Sequence, residues 1–180
     1  MTQLPTTWRT AVVVGNPKPG SRTLAAATTV VRGLTDAEPD LVVDLAVLGP
    51  SLLDWQDPSV TTLVEEVGSA DLVVVASPTY KATDTGLLKL FLDRFAGGTG
   101  LRGVAVPLML GAGPDHALAP ELHLRPLLVE LGASVPTAAL YVLDREHDRP
   151  EPYDTWLARS RPLVHAHLRP HLARTTGAPA

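Results

Sequence analysis

The sequence predicts an α/β fold: a five-stranded parallel sheet, doubly wound, with helices on both faces. Three observations carry that prediction. Short β-branched apolar runs alternate along the chain with longer segments whose apolar residues recur at helical spacing. The runs, such as Val73-Val74-Val75-Ala76, lack the polar alternation of a half-wet strand, so they belong inside a parallel sheet. Each ends in glycine, proline or polar residues that stop it abruptly.

The elements follow in order. Ala11–Gly15 is the first strand, ending in Asn16-Pro17-Lys18-Pro19-Gly20. A helix begins at Ser21 or Arg22 and runs to Leu34, with Leu24, Ala27, Val30, Val31 and Leu34 on one face. Leu41–Leu45 is the second strand. Ser51–Asp57 is a loop, and Pro58 suits the first turn of a helix ending near Val67. Leu72–Ala76 is the third strand, stopped at Ser77-Pro78 because proline brings no N–H and pushes its predecessor out of helical geometry. Thr85–Phe95 is a helix. Gly97-Gly98-Thr99-Gly100 breaks the chain before the fourth strand, Val104–Leu110. Gly111-Ala112-Gly113-Pro114 turns into a helix from Asp115 to Leu131, then a fifth strand at Val135–Val142. A charged loop, Asp144–Pro152, precedes a last helix, Tyr153–Leu168. Residues 1–180 are expected to form one domain with flexible ends at 1–8 and 172–180. Pro107 conflicts with an interior strand and predicts a local irregularity there. Five strands alternating with five helices give right-handed crossovers, and the flavodoxin-like order 2-1-3-4-5 fits best. In that order the ligand sits at the switch point between strands 1 and 3.

Composition removes several function classes. The 180 residues are 45% hydrophobic and 19% charged, with a net charge of −4 that offers no footprint for nucleic acid or an anionic membrane. With no cysteine there is no disulfide, no thiolate nucleophile and no cysteine-held cluster. No apolar run approaches the roughly 18 residues that span a bilayer. The polar stretch Met1 to Arg9 holds no signal-peptide segment, so a cytoplasmic setting is expected.

Three loops fall at the carboxyl ends of strands 1, 3 and 4 and are expected to converge. The first, Gly15 to Thr23, has hydroxyls at Ser21 and Thr23, a guanidinium at Arg22 and the free N–H groups of a helix start, which together suit a phosphate. A plain helix cap at Ser21 explains part of the same pattern. The loop lacks the Lys-Ser/Thr pair of a Walker loop and the spacing of a dinucleotide fingerprint, so a monophosphate fits better than a pyrophosphate. The second, Pro78-Thr79-Tyr80-Lys81, puts an aromatic, a hydroxyl and a cation beside any ring bound over the sheet edge, unless Tyr80 simply closes the core. The third, Gly111-Ala112-Gly113, offers backbone N–H groups suited to an oxygen that becomes anionic on reduction. As a glycine turn it also serves merely to end a strand. Taken together the loops point to a flavin mononucleotide.

The chain resembles the NADPH-dependent FMN reductases of the flavodoxin-like superfamily, in particular the alkanesulfonate- and methanesulfonate-utilisation type. The resemblance runs from about Arg9 to Asp144. It rests on Gly15 to Thr23, on Ser77-Pro78-Thr79-Tyr80-Lys81-Ala82 with Thr85-Gly86-Leu87-Leu88-Lys89, and on Gly111-Ala112-Gly113 with His116 and Leu124 to Leu128. The resemblance implies that Asn16, Lys18, Ser21, Arg22 and Thr23 hold the flavin phosphate. Pro78, Thr79, Tyr80 and Lys81 would line the isoalloxazine, with Gly111, Ala112 and Gly113 facing its pyrimidine edge or ribityl chain. Two positions depart from the family: Asn16 stands where serine is usual, and Leu122 where a tyrosine lies on the tetramer-forming helix.

The family implies hydride transfer from nicotinamide C4 to flavin N5, with NADPH (or NADH) as donor and reduced FMN passed to a two-component monooxygenase. A homodimer or homotetramer is expected. Thr85–Phe95 has more apolar residues than one buried stripe needs, so this helix and Asp115–Leu131 are the predicted interface. His116, just past the glycine turn, is a nicotinamide-side residue or a water-exposed helix start. His116 and His123, seven apart on one helical face, make a poor metal site without an acidic or thiol partner, so no metal is expected. Arg102 and Lys81 are the cations available for a 2′-phosphate. The rival readings are a quinone- or azo-type oxidoreductase with resident FMN, a flavodoxin-like electron carrier without nicotinamide oxidation, and a non-catalytic binder of a phosphorylated partner.

Overall fold

The computed structural model describes residues 8–175, with side chains described through Leu168. Five parallel strands, β1 (Thr10–Val14), β2 (Leu41–Asp44), β3 (Leu72–Pro78), β4 (Val104–Gly111) and β5 (Leu140–Leu143), lie in the order β2-β1-β3-β4-β5. Every residue of β1, β3 and β4 is buried, as both-faces-covered parallel strands require.

The helices are α1 (Arg22–Thr35), the single turn α2 (Leu45–Leu48), α3 (Pro58–Gly68), α4 (Gly86–Leu92), α5 (Arg125–Glu130) and α6 (Glu151–Thr175). Alternate strand residues feed two cores. Ala11, Val13, Val73 and Val75 join Val60, Val67, Leu88, Phe91, Leu124 and Leu128 from α3, α4 and the α5 region on one face. Val12, Val14, Leu72 and Val74 meet Ala27, Val30 and Val31 of α1 and Tyr153 and Val164 of α6 on the other. Local chemistry sets the helix starts. Ser21, Asp57 and Thr85 cap α1, α3 and α4 through side-chain oxygens, and Pro58 occupies the first turn of α3.

The last third of the chain departs from the sequence expectation. The helix expected over Asp115–Leu131 is broken into a 3₁₀ turn at Pro114–His116, a π turn at Pro120–Leu124, and α5. Proline is the cause. Pro126 has no N–H, and in a regular helix its ring would press on the carbonyl four residues back. The widened turn, where Arg125 N bonds Pro120 O, gives it room. His116 and His123 therefore sit in different short turns and share no helical face.

The fifth strand is also shorter than expected, Leu140–Leu143 in place of Val135–Val142. Residues 135–139 are held instead by side chains: the Arg125 guanidinium donates to Thr137 O and to Val135 O (2.8 Å), and Glu121 accepts from Ala139 N at 2.8 Å. This accounts for Pro107. Ala105 N bonds Ser134 O on the β5 flank, so by strand alternation position 107 faces the same flank, where pairing with β5 begins only at Leu108–Leu140. The missing N–H thus falls in a gap of the ladder, and β4 runs through Pro107 unbroken, paired with Val75 of β3. The irregularity lies in the neighbouring segment.

Smaller differences follow the same logic. α4 is shorter than Thr85–Phe95, because after Leu92 the bonds tighten to Arg94 N–Phe91 O and Phe95 N–Leu92 O ahead of the glycines. Its apolar residues go mostly inward: Leu88, Phe91, Leu92 and Phe95 are buried and only Leu90 is exposed. The exposed apolar surface on this face lies instead at Leu118, Leu122 and Val129, and at Val47, Leu53 and Trp55. α2 begins at Leu45, expected as the last residue of the second strand, and the 3₁₀ turn Gly49–Leu53 enters the loop expected at Ser51–Asp57. β3 runs two residues past its expected end at Ala76, because its pairing with β1 stops at Val14–Ala76 while Ser77 and Pro78 stay paired with Met109 and Leu110 of β4. α6 continues to Thr175, beyond Leu168, and Trp8 packs edge-on to His165 at 4.6 Å although 1–8 was expected to be flexible. Residues 1–7 and 176–180 of the expected ends lie outside the described residues. No helix among the described residues is long and apolar enough to cross a membrane.

Candidate functional site

The loops after β1, β3 and β4 leave three adjacent strands at one edge of the sheet and are bonded to one another. Gly15 N donates to Ala76 O at 2.8 Å, and the Thr85 hydroxyl donates to Gly15 O at 2.5 Å while accepting from Leu88 N at 3.1 Å. Thr85 N in turn donates to the buried Ser77 hydroxyl at 3.0 Å. One threonine thus starts α4 and joins the first loop to the second. Thr79 N donates to Leu110 O at 2.6 Å, joining the second loop to the third. The Tyr141 hydroxyl of β5 donates to Gly113 O at 2.6 Å and holds the third.

Two glycines are fixed by close packing here. A Cβ on Gly15 would lie 2.4 Å from Leu88 Cβ, and one on Gly111 would lie 1.9 Å from the Tyr141 hydroxyl oxygen. Tyr141 carries a pKa raised above the usual phenol value, chiefly by burial, with the Thr79 hydroxyl pulling the other way and Asp144 and Asp115 adding to the rise. It is therefore a neutral donor across the physiological range.

In the first loop, Asn16 shapes the chain. Its Oδ1 accepts from Lys18 N (2.9 Å) and its Nδ2 donates to Thr23 Oγ1 (3.0 Å). Gly20 N is taken up by Asp44 Oδ2 at 2.9 Å and so is not a free donor. Ser21 Oγ accepts from Leu24 N at 3.3 Å. The N–H groups of Arg22 and Thr23 have no acceptor inside the helix, as first-turn groups never do, and make no hydrogen bond among the described residues. Arg22 and Lys18 are exposed; Thr23 is buried.

In the second loop, Pro78 is buried and Tyr80 is 52% exposed. Tyr80 and Thr83 exchange backbone bonds (2.9 and 3.2 Å) around a two-residue turn with Lys81 at φ 53° and Ala82 at φ 71°. Both are left-handed conformations that side chains resist, so the turn is strained. The Thr79 hydroxyl is buried with no formed hydrogen bond; its influential neighbour is the Tyr141 hydroxyl, whose own proton goes to Gly113 O. In the third loop Gly111 is buried and Ala112 exposed, and neither Ala112 N nor Gly113 N makes a bond among the described residues.

The structure therefore brings Asn16, Ser21, Arg22, Thr23, Pro78, Thr79, Gly111, Ala112 and Gly113 to one edge, with Lys18, Tyr80 and Lys81 on its rim. His116 is exposed in the following 3₁₀ turn and is bonded to none of the loops. Arg102 is a correction. It precedes β4 and Gly111 ends it, so Arg102 lies at the opposite end of the sheet and cannot serve this site. Sequence reasoning passed over Ser77 and Thr85 as connectors, Asp44 as the holder of Gly20, and Tyr141. The readable signal for Thr85 was a hydroxyl directly ahead of Gly86-Leu87-Leu88; Tyr141 left none, because its partner is 28 residues away.

The profile of the family described as NADPH-dependent FMN reductase matches residues 8–148. An FMN reductase (NADPH) from Pseudomonas aeruginosa is 30% identical over 145 residues, covering 77% of each chain. An FMN reductase (NADPH) from Escherichia coli is 32% identical over 101 residues, 54% of this chain and 53% of that enzyme, so the match spans about half of that relative's length. Among solved structures, an NADH:FMN oxidoreductase in its apo form superposes with a TM-score of 0.76 at 25% identity, covering 91% of this chain and 90% of the other. An archaeal flavodoxin, 15% identical with a TM-score of 0.52, shares the fold over 89% of this chain and 97% of its own. The chain belongs to the NADPH-dependent FMN reductase family.

Proposed function

We propose that the chain is an NAD(P)H-dependent FMN reductase, a single FMN-binding domain that uses NADPH or NADH and releases reduced FMN to a two-component monooxygenase. The observation that carries the reading is the bonded convergence of the three loops over a helix start whose Arg22 and Thr23 N–H groups lack acceptors. The residues fit FMN. The phosphate falls to the Arg22 and Thr23 N–H groups, the Ser21 hydroxyl and the Arg22 guanidinium, with Asn16 shaping the loop and Lys18 adding charge. Pro78, Thr79, Tyr80 and Lys81 line the isoalloxazine, and the unbonded Thr79 hydroxyl is a donor waiting for an acceptor. Gly111, Ala112 and Gly113 face the pyrimidine edge or the ribityl chain, and His116 lies toward the nicotinamide.

When bound, FMN supplies the redox chemistry, accepting a hydride at N5 from C4 of the reduced nicotinamide. The chain's own part is positional and electrostatic. Tyr141, a neutral phenol, fixes Gly113 O, and the unbonded Ala112 and Gly113 N–H groups are the donors for negative charge. Thr85 and Ser77 lock the first two loops to each other, which keeps the phosphate and ring subsites in register. The exposed rim at Tyr80, Lys81 and Ala112 suits a flavin that exchanges with solution rather than one sealed in the fold. A cytoplasmic setting, where reduced nicotinamide and free flavin are available, belongs to the same proposal. So does association through Leu118, Leu122 and Val129, as dimer or tetramer.

The test is nicotinamide oxidation by purified protein as FMN is added. A rate that rises with FMN and saturates supports the reading. Full activity from tightly held flavin, with quinone as acceptor and no response to added FMN, would transfer it to the quinone-type oxidoreductases. Flavin binding without nicotinamide oxidation would make it an electron carrier.

A further inference from the structure

The cation excluded from the flavin edge points to a second site. Arg102 opens onto a cavity of about 580 Å³ between the C-terminal half of α3, the turn after α4 and the start of β4, a volume within the range of small-molecule sites. Its walls include Trp55, Val64 and Phe95. A close backbone approach shapes its base: a Cβ on Gly68 would meet Gly100 O at 2.5 Å.

The polar groups are unbalanced. Arg94 and Arg102 both face the cavity and neither forms an ion pair among the described residues; Glu65 is the one carboxylate lining it. Arg94 is committed to structure, donating to Asp54 O (2.8 Å), Trp55 O (3.2 Å) and the Thr61 hydroxyl (3.4 Å) while its guanidinium lies 5.5 Å from the Trp55 ring centre. These contacts hold an indole in place although it is 63% exposed, an arrangement an isolated surface tryptophan does not need. Arg102 is only steered, by one long bond from Nε to Gly68 O at 3.4 Å, and its terminal amino groups have no partner among the described residues.

A fixed aromatic wall beside one unspent guanidinium fork matches a flat apolar body bearing a planar two-oxygen anion. We propose that this cavity, at the sheet end opposite the flavin loops, binds a small aromatic carboxylate, with its ring against Trp55, Val64 and Phe95 and its carboxylate on Arg102.

The test is calorimetric titration of the full chain with 1-naphthoate and with its neutral isostere 1-naphthamide. Naphthoate is expected to bind at one site, about tenfold or more tighter than the amide. Arg102→Gln should erase that difference while leaving FMN affinity unchanged, and Trp55→Ala should weaken both ligands. Amide shifts of Gly68, Thr99 and Gly100 should follow the naphthoate titration. Saturating FMN should leave naphthoate binding as it was. The proposal is overturned if naphthoate does not bind, if the two ligands bind equally, if Arg102→Gln behaves as the parent, or if FMN displaces naphthoate. Because FMN affinity is read separately, failure of this site leaves the flavin assignment standing, and failure of the flavin assignment leaves this site standing.

Discussion

Arg22, Thr85 and Ala82 show how much single side chains decide at the flavin edge. Arg22 brings a charge to the α1 N-terminus, so Arg22→Ala should weaken FMN binding by about 1–3 kcal/mol through loss of one charge-assisted contact. Flavin-fluorescence titration measures this, and an unchanged affinity would show that the guanidinium does not meet the phosphate. Thr85 caps α4 and ties Gly15 O to the same turn, so Thr85→Val should cost about 2 kcal/mol in urea unfolding. It should also lower FMN affinity, although Thr85 is not among the proposed flavin contacts. Ala82 sits at φ 71° with an exposed side chain. Ala82→Gly should relieve strain of about 1–2 kcal/mol while adding some unfolded-chain entropy, for a net gain near ~0.5 kcal/mol; a loss of stability would mean that the turn is not strained. The convergence of the three loops was legible because each follows a strand that the sequence places at the middle of the sheet. What joins them was not. The Thr85–Gly15 and Tyr141–Gly113 bonds span 70 and 28 residues and exist only once the sheet has formed.

Proline marks the limit of what the sequence reveals about whole elements. The positions of β1, α1, α3 and the start of β3 follow from unbroken apolar runs and from polar or proline residues at the helix starts, which are local signals. The end of β3 does not, because Ser77 and Pro78, expected to stop the strand, pair with Met109 and Leu110 of β4. Asp115–Leu131 carries helix-like spacing and Val135–Val142 reads as a strand, yet Pro114, Pro120, Pro126 and Pro136 each remove a donor. The chain answers with a 3₁₀ turn, a π turn and a clamp in which Arg125 and Glu121 take over bonds that a ladder would have made. That substitution makes a prediction. Arg125→Met leaves the Val135 and Thr137 carbonyls without their donor and should cost about 2–4 kcal/mol. Amide hydrogen exchange should then rise in β5 before it rises in β1 or β3; uniform acceleration would mean that the clamp is not local.

Across the whole molecule, stability should depend on alkaline pH through a buried phenol. Tyr153 donates to His147 O at 2.6 Å, and its pKa is pushed up to about 12, first by burial and then by Asp148. A raised value favours the folded state fully below the unfolded tyrosine pKa near ~10 and loses that contribution as pH rises toward 12. The melting temperature should therefore fall between those values, and Tyr153→Phe should flatten part of the fall, Tyr141 contributing in the same direction. The sheet order was readable at this scale because strand–helix alternation leaves few topologies open. The exposed apolar surface was less so: the apolar surplus assigned to α4 is spent in the core, while Leu118, Leu122 and Val129 stay exposed on the broken α5 region.

The account's central claim is that the three loops form one site built for a flavin monophosphate. It is tested most directly by following NADPH oxidation while titrating the protein with FMN and, in parallel, with riboflavin, which lacks the phosphate. The account predicts saturation with both flavins, with FMN half-saturating at a concentration at least about tenfold lower because only FMN engages the α1 N-terminus and Arg22. Equal half-saturation would contradict the phosphate cradle, and no oxidation with either flavin would contradict the enzyme.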